Sequence, residues 1–308
     1  MRRAMRIACA VAVGVLAGAC AHGTPPPLHS TRLVVHRTGS GGVRPFVRAK
    51  VAGQPMDLLL DTGAIRSILP SKFAQANHLA MRWSRESDER VVDSNGKLWQ
   101  MPTLPDVPVQ FEGEASAGTI DFLMNPSRDT EGILAPQDLL RSGWVLVIDI
   151  GREELRYEPE EGALKRLAAE TSAPLREIDF HRCLTEGFFE RSHRIVSATI
   201  NGVSANLLVD TGASLTVLTR NNPAIPSLLS RRGDLGTNRA VASMGSGYLL
   251  QDVPVVVLET SFVLPVLVLP ESPVCGHGAL GADVLRHCTL VWGWSSMWAA
   301  CRAPPEGR

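Results

Sequence analysis

Leu58-Leu59-Leu60-Asp61-Thr62-Gly63-Ala64 and Leu207-Leu208-Val209-Asp210-Thr211-Gly212-Ala213 are two copies of one signature, 149 residues apart in a chain of 308. An isolated Asp-Thr-Gly is weak evidence, because at average residue usage it arises by chance about once in a few thousand positions. Here each copy follows an apolar run. Each also has the same continuation, Ser67-Ile68-Leu69 in one and Thr216-Val217-Leu218 in the other, with the hydroxyl residue six positions after the Asp. A strand ending in an Asp-Thr-Gly turn for backbone reasons alone does not explain a match of this extent.

The likeness extends well beyond the signature. At the same offset Val51-Ala52-Gly53 faces Ile200-Asn201-Gly202. Asp106-Val107-Pro108-Val109 faces Asp252-Val253-Pro254-Val255, and Gly132-Ile133-Leu134 faces Gly278-Ala279-Leu280, both at an offset of 146. Arg156-Tyr157-Glu158-Pro159 stands against Cys301-Arg302-Ala303-Pro304 at 145. Order is kept and spacing nearly kept, so the chain reads as one domain written twice. Each half consists mainly of short Val, Ile and Leu runs bounded by Gly, Pro, Asn and Asp, which predicts all-β lobes. Short helices are expected at Ser71 to His78, Gln137 to Arg141 and Asp283 to His287.

The expected organisation is a signal peptide over 1–19, a tether over 20–43, lobes over 44–160 and 176–304, and a linker over 161–175. Arg2, Arg3 and Arg6 precede an apolar stretch from Ile7 to Ala19, short for a membrane span but suited to secretion. It ends in Leu16-Ala17-Gly18-Ala19-Cys20, similar to a bacterial lipobox, so Cys20 is the expected lipidation site. The alternative is ordinary cleavage after a small-x-small site. The expected location is exported: periplasmic or anchored at the outer membrane as a lipoprotein, otherwise secreted. Pro25-Pro26-Pro27 would stiffen the stalk.

Beyond the signal, Cys183, Cys275, Cys288 and Cys301 all fall in the second half, and an oxidising compartment makes disulfides the default. A hairpin turning near Trp294-Ser295 sets Cys288 opposite Cys301, which leaves Cys183 for Cys275. His181, His193, His277 and His287 lie near these thiols, but no pair has the close spacing of a zinc site, and no metal is expected. With 31 basic and 31 acidic residues the formal charge is zero, so no broad basic surface for nucleic acid is expected.

The duplicated Asp-Thr-Gly-Ala, each copy followed later by an apolar Gly motif, resembles the retropepsin and pepsin superfamily of aspartic peptidases over about residues 44 to 304. The Ala after the Gly is more like retropepsins, while the duplication in one chain is similar to pepsins. The chain looks like a fused pair of retropepsin-type lobes of the kind found in exported bacterial proteins. The resemblance implies a bilobal acid-protease fold with two β-barrel-like lobes, an interlobe cleft, and a monomer. It makes Asp61 and Asp210 the catalytic dyad around one water. Like charges so close cannot both ionise cheaply, so one proton is shared. Thr62 and Thr211 would cross-link the two loops, and Gly63 and Gly212 would keep side chains off the carboxylates. The implied activity is endopeptidase cleavage of peptide or protein substrates, with no metal or cofactor. Hairpin flaps are expected at Val91 to Trp99, turning at Asn95-Gly96, and at Ala240 to Leu250, with Gly245-Ser246-Gly247 as tip and Tyr248 as a substrate contact.

One motif departs from the pattern. The second lobe reads Gly278-Ala279-Leu280-Gly281-Ala282-Asp283, whereas the first reads Gly132-Ile133-Leu134-Ala135-Pro136-Gln137-Asp138. Ala replaces the second Gly and a residue is added, which could distort the support behind Asp61. On that ground a catalytically weak or inactive peptide-binding protein with the same cleft is the alternative function.

Overall fold

The computed structural model describes residues 29–39, 41–83, 90–92, 98–114, 118–126, 131–178, 181–183, 193–230, 237–242, 245–269 and 276–304. Each half of the chain closes a six-stranded barrel, giving a bilobal, all-β molecule. The first barrel runs Val43–Val51, Gln54–Leu60, Gly132–Leu134, Ile68–Pro70, Gly118–Asn125, Thr103–Phe111, and closes by pairing Ala49 with Phe111. The second runs His193–Ile200, Val203–Val209, Gly278–Leu280, Val217–Thr219, Thr260–Leu269, Gly245–Val257, and closes where Thr199 meets Val256. Strand for strand the two orders are equivalent, which is the sequence repeat expressed in space.

A six-stranded antiparallel sheet joins the lobes, in the order Arg176–Glu177, Met297–Cys301, Cys288–Gly293, Trp144–Asp149, Glu154–Pro159, His29–Arg37. Three strands come from each half, and the halves meet where Leu146 pairs with Trp292 and Val147 with Val291. All of these centre positions are essentially buried, so the join is built like core rather than like a hinge between separate domains. The strand His29–Arg37 corrects the expected tether, because it pairs on one side with Glu154 to Tyr157 and on the other with Val43 to Val47. Its Leu33 has no exposure to solvent, a short apolar signal that the proline-rich sequence just before it obscured.

Glu160–Glu170, almost all of it within the expected linker, is a helix. Ala163 and Leu167 pack on Val145, Val147 and Val291, so it covers one face of the joining sheet. Glu160 and Glu161 lie in its first turn, where the helix dipole favours acidic groups. The other expected helices appear as Ser71–Ala76 and Ala282–Leu285, while Pro136–Asp138 is a 3-10 turn. Residues 1–28, with the signal segment and Cys20, lie outside the described residues.

Candidate active site

Both signature loops leave their strands in the same way. Leu58 to Leu60 pair in parallel with Gly132 to Leu134, and Leu208 and Val209 with Ala279 and Leu280. The next backbone amide continues each ladder: Asp61 N–H donates to the Leu134 carbonyl at 3.0 Å and Asp210 N–H to that of Leu280 at 3.1 Å. The chain then turns back on the aspartate itself. Asp61 Oδ1 accepts from the amides of Gly63 at 2.9 Å and Ala64 at 3.0 Å. Asp210 Oδ1 accepts from those of Gly212 at 2.8 Å and Ala213 at 3.1 Å. Two amide donors of its own loop aim each carboxylate.

The threonines tie the loops across the lobe boundary. Thr62 Oγ1 donates to the Val209 carbonyl at 2.8 Å and accepts from Thr211 N–H at 2.9 Å. Thr211 Oγ1 donates to the Leu60 carbonyl at 2.6 Å and accepts from Thr62 N–H at 3.1 Å. Both side chains are fully buried, so each hydroxyl satisfies two backbone groups that water cannot reach. The glycines explain how close the carboxylates come. A Cβ on Gly63 would lie 2.7 Å from Asp210 Cγ, and one on Gly212 would lie 2.5 Å from Asp61 Cγ. Each acid therefore rests against the other lobe's loop, where only glycine leaves room.

Electrostatics follow from this proximity. Burial, then the Asp61 charge, push the Asp210 carboxyl well above its ordinary range. A hydrogen bond shared with Asp61 acts in the same direction, and the amides of Ala213 and Gly212 act against it. Such a pair holds one proton between two carboxylates.

His193 belongs to this site and was not singled out for it by the sequence. It opens the strand His193–Ile200 of the second lobe, hydrogen-bonds the Gly63 backbone of the first, and feels the Asp61 charge. Burial nevertheless dominates and lowers its pKa. The repeat held a signal: at the 149 offset His193 matches Arg44, whose guanidinium binds Glu131 with two bonds of 3.0 and 2.7 Å.

The altered first-lobe motif is absorbed. Ala135, fully buried, takes the place of Gly281, and its amide donates to Ser67 Oγ at 3.0 Å as that of Gly281 does to Thr216 Oγ1 at 3.2 Å. The added residue is taken up by the 3-10 turn, so Asp138 Oδ2 accepts from Ser67 N–H at 2.6 Å just as Asp283 Oδ2 accepts from Thr216 N–H at 3.0 Å. The two acids differ in surroundings. Arg66 lies 3.6 Å from Asp138, whereas burial raises the Asp283 carboxyl to about 6 against the opposing pull of Thr216.

The remaining expectations divide. Arg90–Val92 pairs with Leu98–Gln100, which builds the first hairpin, while its turn at Asn95 and Gly96 lies outside the described residues. In the second hairpin Ala242 pairs with Gly245 and Ala240 with Gly247. Gly245, Ser246 and Gly247 are therefore strand, not tip, and the residues between Ala242 and Gly245 lie outside the described residues. Gly247 is needed for packing, since a Cβ there would meet the Val268 carbonyl at 2.5 Å. Tyr248, half exposed, lies on the same strand. Cys288 and Cys301 pair opposite one another and are disulfide-bonded. Cys275 lies outside the described residues, and with it the expected bond to Cys183. Among the described residues no His, Cys, Asp or Glu cluster is arranged to hold a metal ion.

No family model and no curated protein matches the chain. Among solved structures it is similar to basic 7S globulin from soybean, at 11% identity and a TM-score of 0.54, over 90% of this chain and 95% of that one. At that identity the likeness is one of fold.

Proposed function

We propose that the chain is an aspartic endopeptidase of the retropepsin and pepsin kind, with Asp61 and Asp210 as its catalytic pair. The observation that carries this reading is reciprocal contact: each carboxylate, aimed by two amides of its own loop, abuts the other lobe's glycine. Asp210, whose surroundings favour its protonated form, donates a hydrogen bond to the substrate carbonyl. Asp61 takes a proton from a water, whose oxygen adds to the carbonyl carbon. The tetrahedral species then breaks its C–N bond, and the amine leaves with a proton from the pair. No covalent intermediate is required, and no metal. An extended peptide would lie between the lobes, with Tyr248 as one contact.

The N-terminal sequence supports export with a lipid tether at Cys20, and the Cys288–Cys301 bond is in keeping with an oxidising compartment. Because one chain supplies both loops, the proposed enzyme acts as a monomer. A non-hydrolysing binding protein would draw on the Ala135 replacement, but Asp138 keeps the bond behind Asp61, so hydrolysis is the better-supported reading. Digestion of a peptide library between acidic and neutral pH tests it. Cleavage by the wild type that Asp61→Asn and Asp210→Asn each abolish is expected. Cleavage that survives either replacement rejects the mechanism, and peptide binding without cleavage by the wild type selects the alternative.

A further inference from the structure

We infer that a cavity of about 830 Å³ beside the joining sheet binds an organic anion, an oxyanion head carried on an apolar body. This site is separate from the catalytic pair. Arg37, Arg152, Arg286, Arg302 and His287 line it, together with apolar side chains that include Phe262 and Leu264. Its volume is in the range of small-molecule sites.

The charges there are unequally matched. Asp149, almost completely buried, lies 3.7 Å from Arg152 and 3.8 Å from Arg302, so one carboxylate serves two guanidinium groups. Of the two acids on the wall, Glu153 is held by Arg32 at 2.6 Å, and Asp283 has its oxygens taken up by Thr216 and the Val284 amide. That leaves Arg37 and Arg286 without a carboxylate at ion-pair distance among the described residues, although the Arg286 charge still acts on Asp283 from farther off. Arg286 Nε instead donates to His287 Nε2 at 3.2 Å. This contact requires a neutral imidazole, and burial, followed by Arg286 and Arg302, lowers the His287 pKa in the direction that favours that form. Guanidinium groups lining a partly apolar cavity match a carboxylate or phosphate, which such a group can bind.

The cavity also touches the second catalytic loop. Leu215 and Val43 line it, and Val43 N–H donates to the carbonyl of Ser214 at 3.2 Å. An occupant would therefore press on the segment that follows Asp210.

Isothermal titration of the purified protein with octyl phosphate, octanoate, inorganic phosphate and octanol tests the inference. The better of octyl phosphate and octanoate should bind at least tenfold tighter than inorganic phosphate, with octanol silent, and which of the two wins identifies the head group. Arg286→Gln and Arg37→Gln should each weaken binding at least fivefold. Arg48→Gln, which removes an arginine paired with Asp57 elsewhere, and Asp210→Asn should leave it unchanged. Arg37 is exposed, so its variant decides the matter if Arg286→Gln does not fold. Absence of binding, equal binding of octanol, or full binding by Arg37→Gln would overturn the inference.

Discussion

Replacing Thr62 by Val keeps the side chain's shape and removes only its hydroxyl, which makes it the sharpest probe of the grip between the lobes. The lost hydroxyl strands two buried backbone groups, the Thr211 N–H that donates to it at 2.9 Å and the Val209 carbonyl that accepts from it at 2.8 Å. Each buried polar group left without a partner costs about 1–3 kcal/mol, so the substitution should cost about 2–6 kcal/mol. Against the usual stability of about 5–15 kcal/mol this is a large loss. Thr211→Val should behave alike, since it strands Thr62 N–H and the Leu60 carbonyl. Thr62→Ser keeps the hydroxyl and should recover most of the stability. Equilibrium unfolding in urea at constant pH measures all three. A loss below about 0.5 kcal/mol for Thr62→Val, the level of an ordinary surface change, would mean that the two backbone groups do not depend on this hydroxyl.

Two further outcomes follow from the same loops. Gly212→Ala places a Cβ 2.5 to 2.7 Å from all three atoms of the Asp61 carboxylate; displacing it by about 1 Å should lower kcat/KM about a hundredfold, and a loss under threefold on any cleaved peptide contradicts this. Asp283, raised to about 6 from an ordinary 3.8, binds its proton more tightly folded than unfolded. Its contribution is therefore fully present below 3.8 and is lost as pH rises through 6, about 3 kcal/mol in all. Urea unfolding from pH 3 to 7 should show wild type losing about that much more than Asp283→Asn, and equal slopes would contradict it.

The repeat, the two aspartates, their threonines and their glycines were legible because each carries a backbone, hydroxyl or steric demand that few residue types meet, written twice. The Cys288–Cys301 bond was legible because a hairpin fixes who faces whom. The strand His29–Arg37 was not, because its pairing partners, Glu154 to Tyr157, lie more than a hundred residues away and its own pattern is short. The turn of the second hairpin was misplaced for a local reason. Gly-Ser-Gly reads as a mobile tip, yet Gly247 serves close packing on Val268. His193 was missed because its role arises only across the lobe boundary, where it meets Gly63. The departure at Ala135 looked disruptive in sequence because an insertion changes spacing, whereas a 3-10 turn restored Asp138 to its partner.

Asp61 and Asp210 should titrate as one acid pair across the two halves. Carboxyl-carbon NMR titration of Asp210 in the wild type and in Asp61→Asn measures this directly. The wild-type group should titrate well above the ordinary carboxylate range, and loss of the Asp61 charge and shared hydrogen bond should bring it down. The same midpoint in both proteins would mean that the two acids do not act on one another and share no proton.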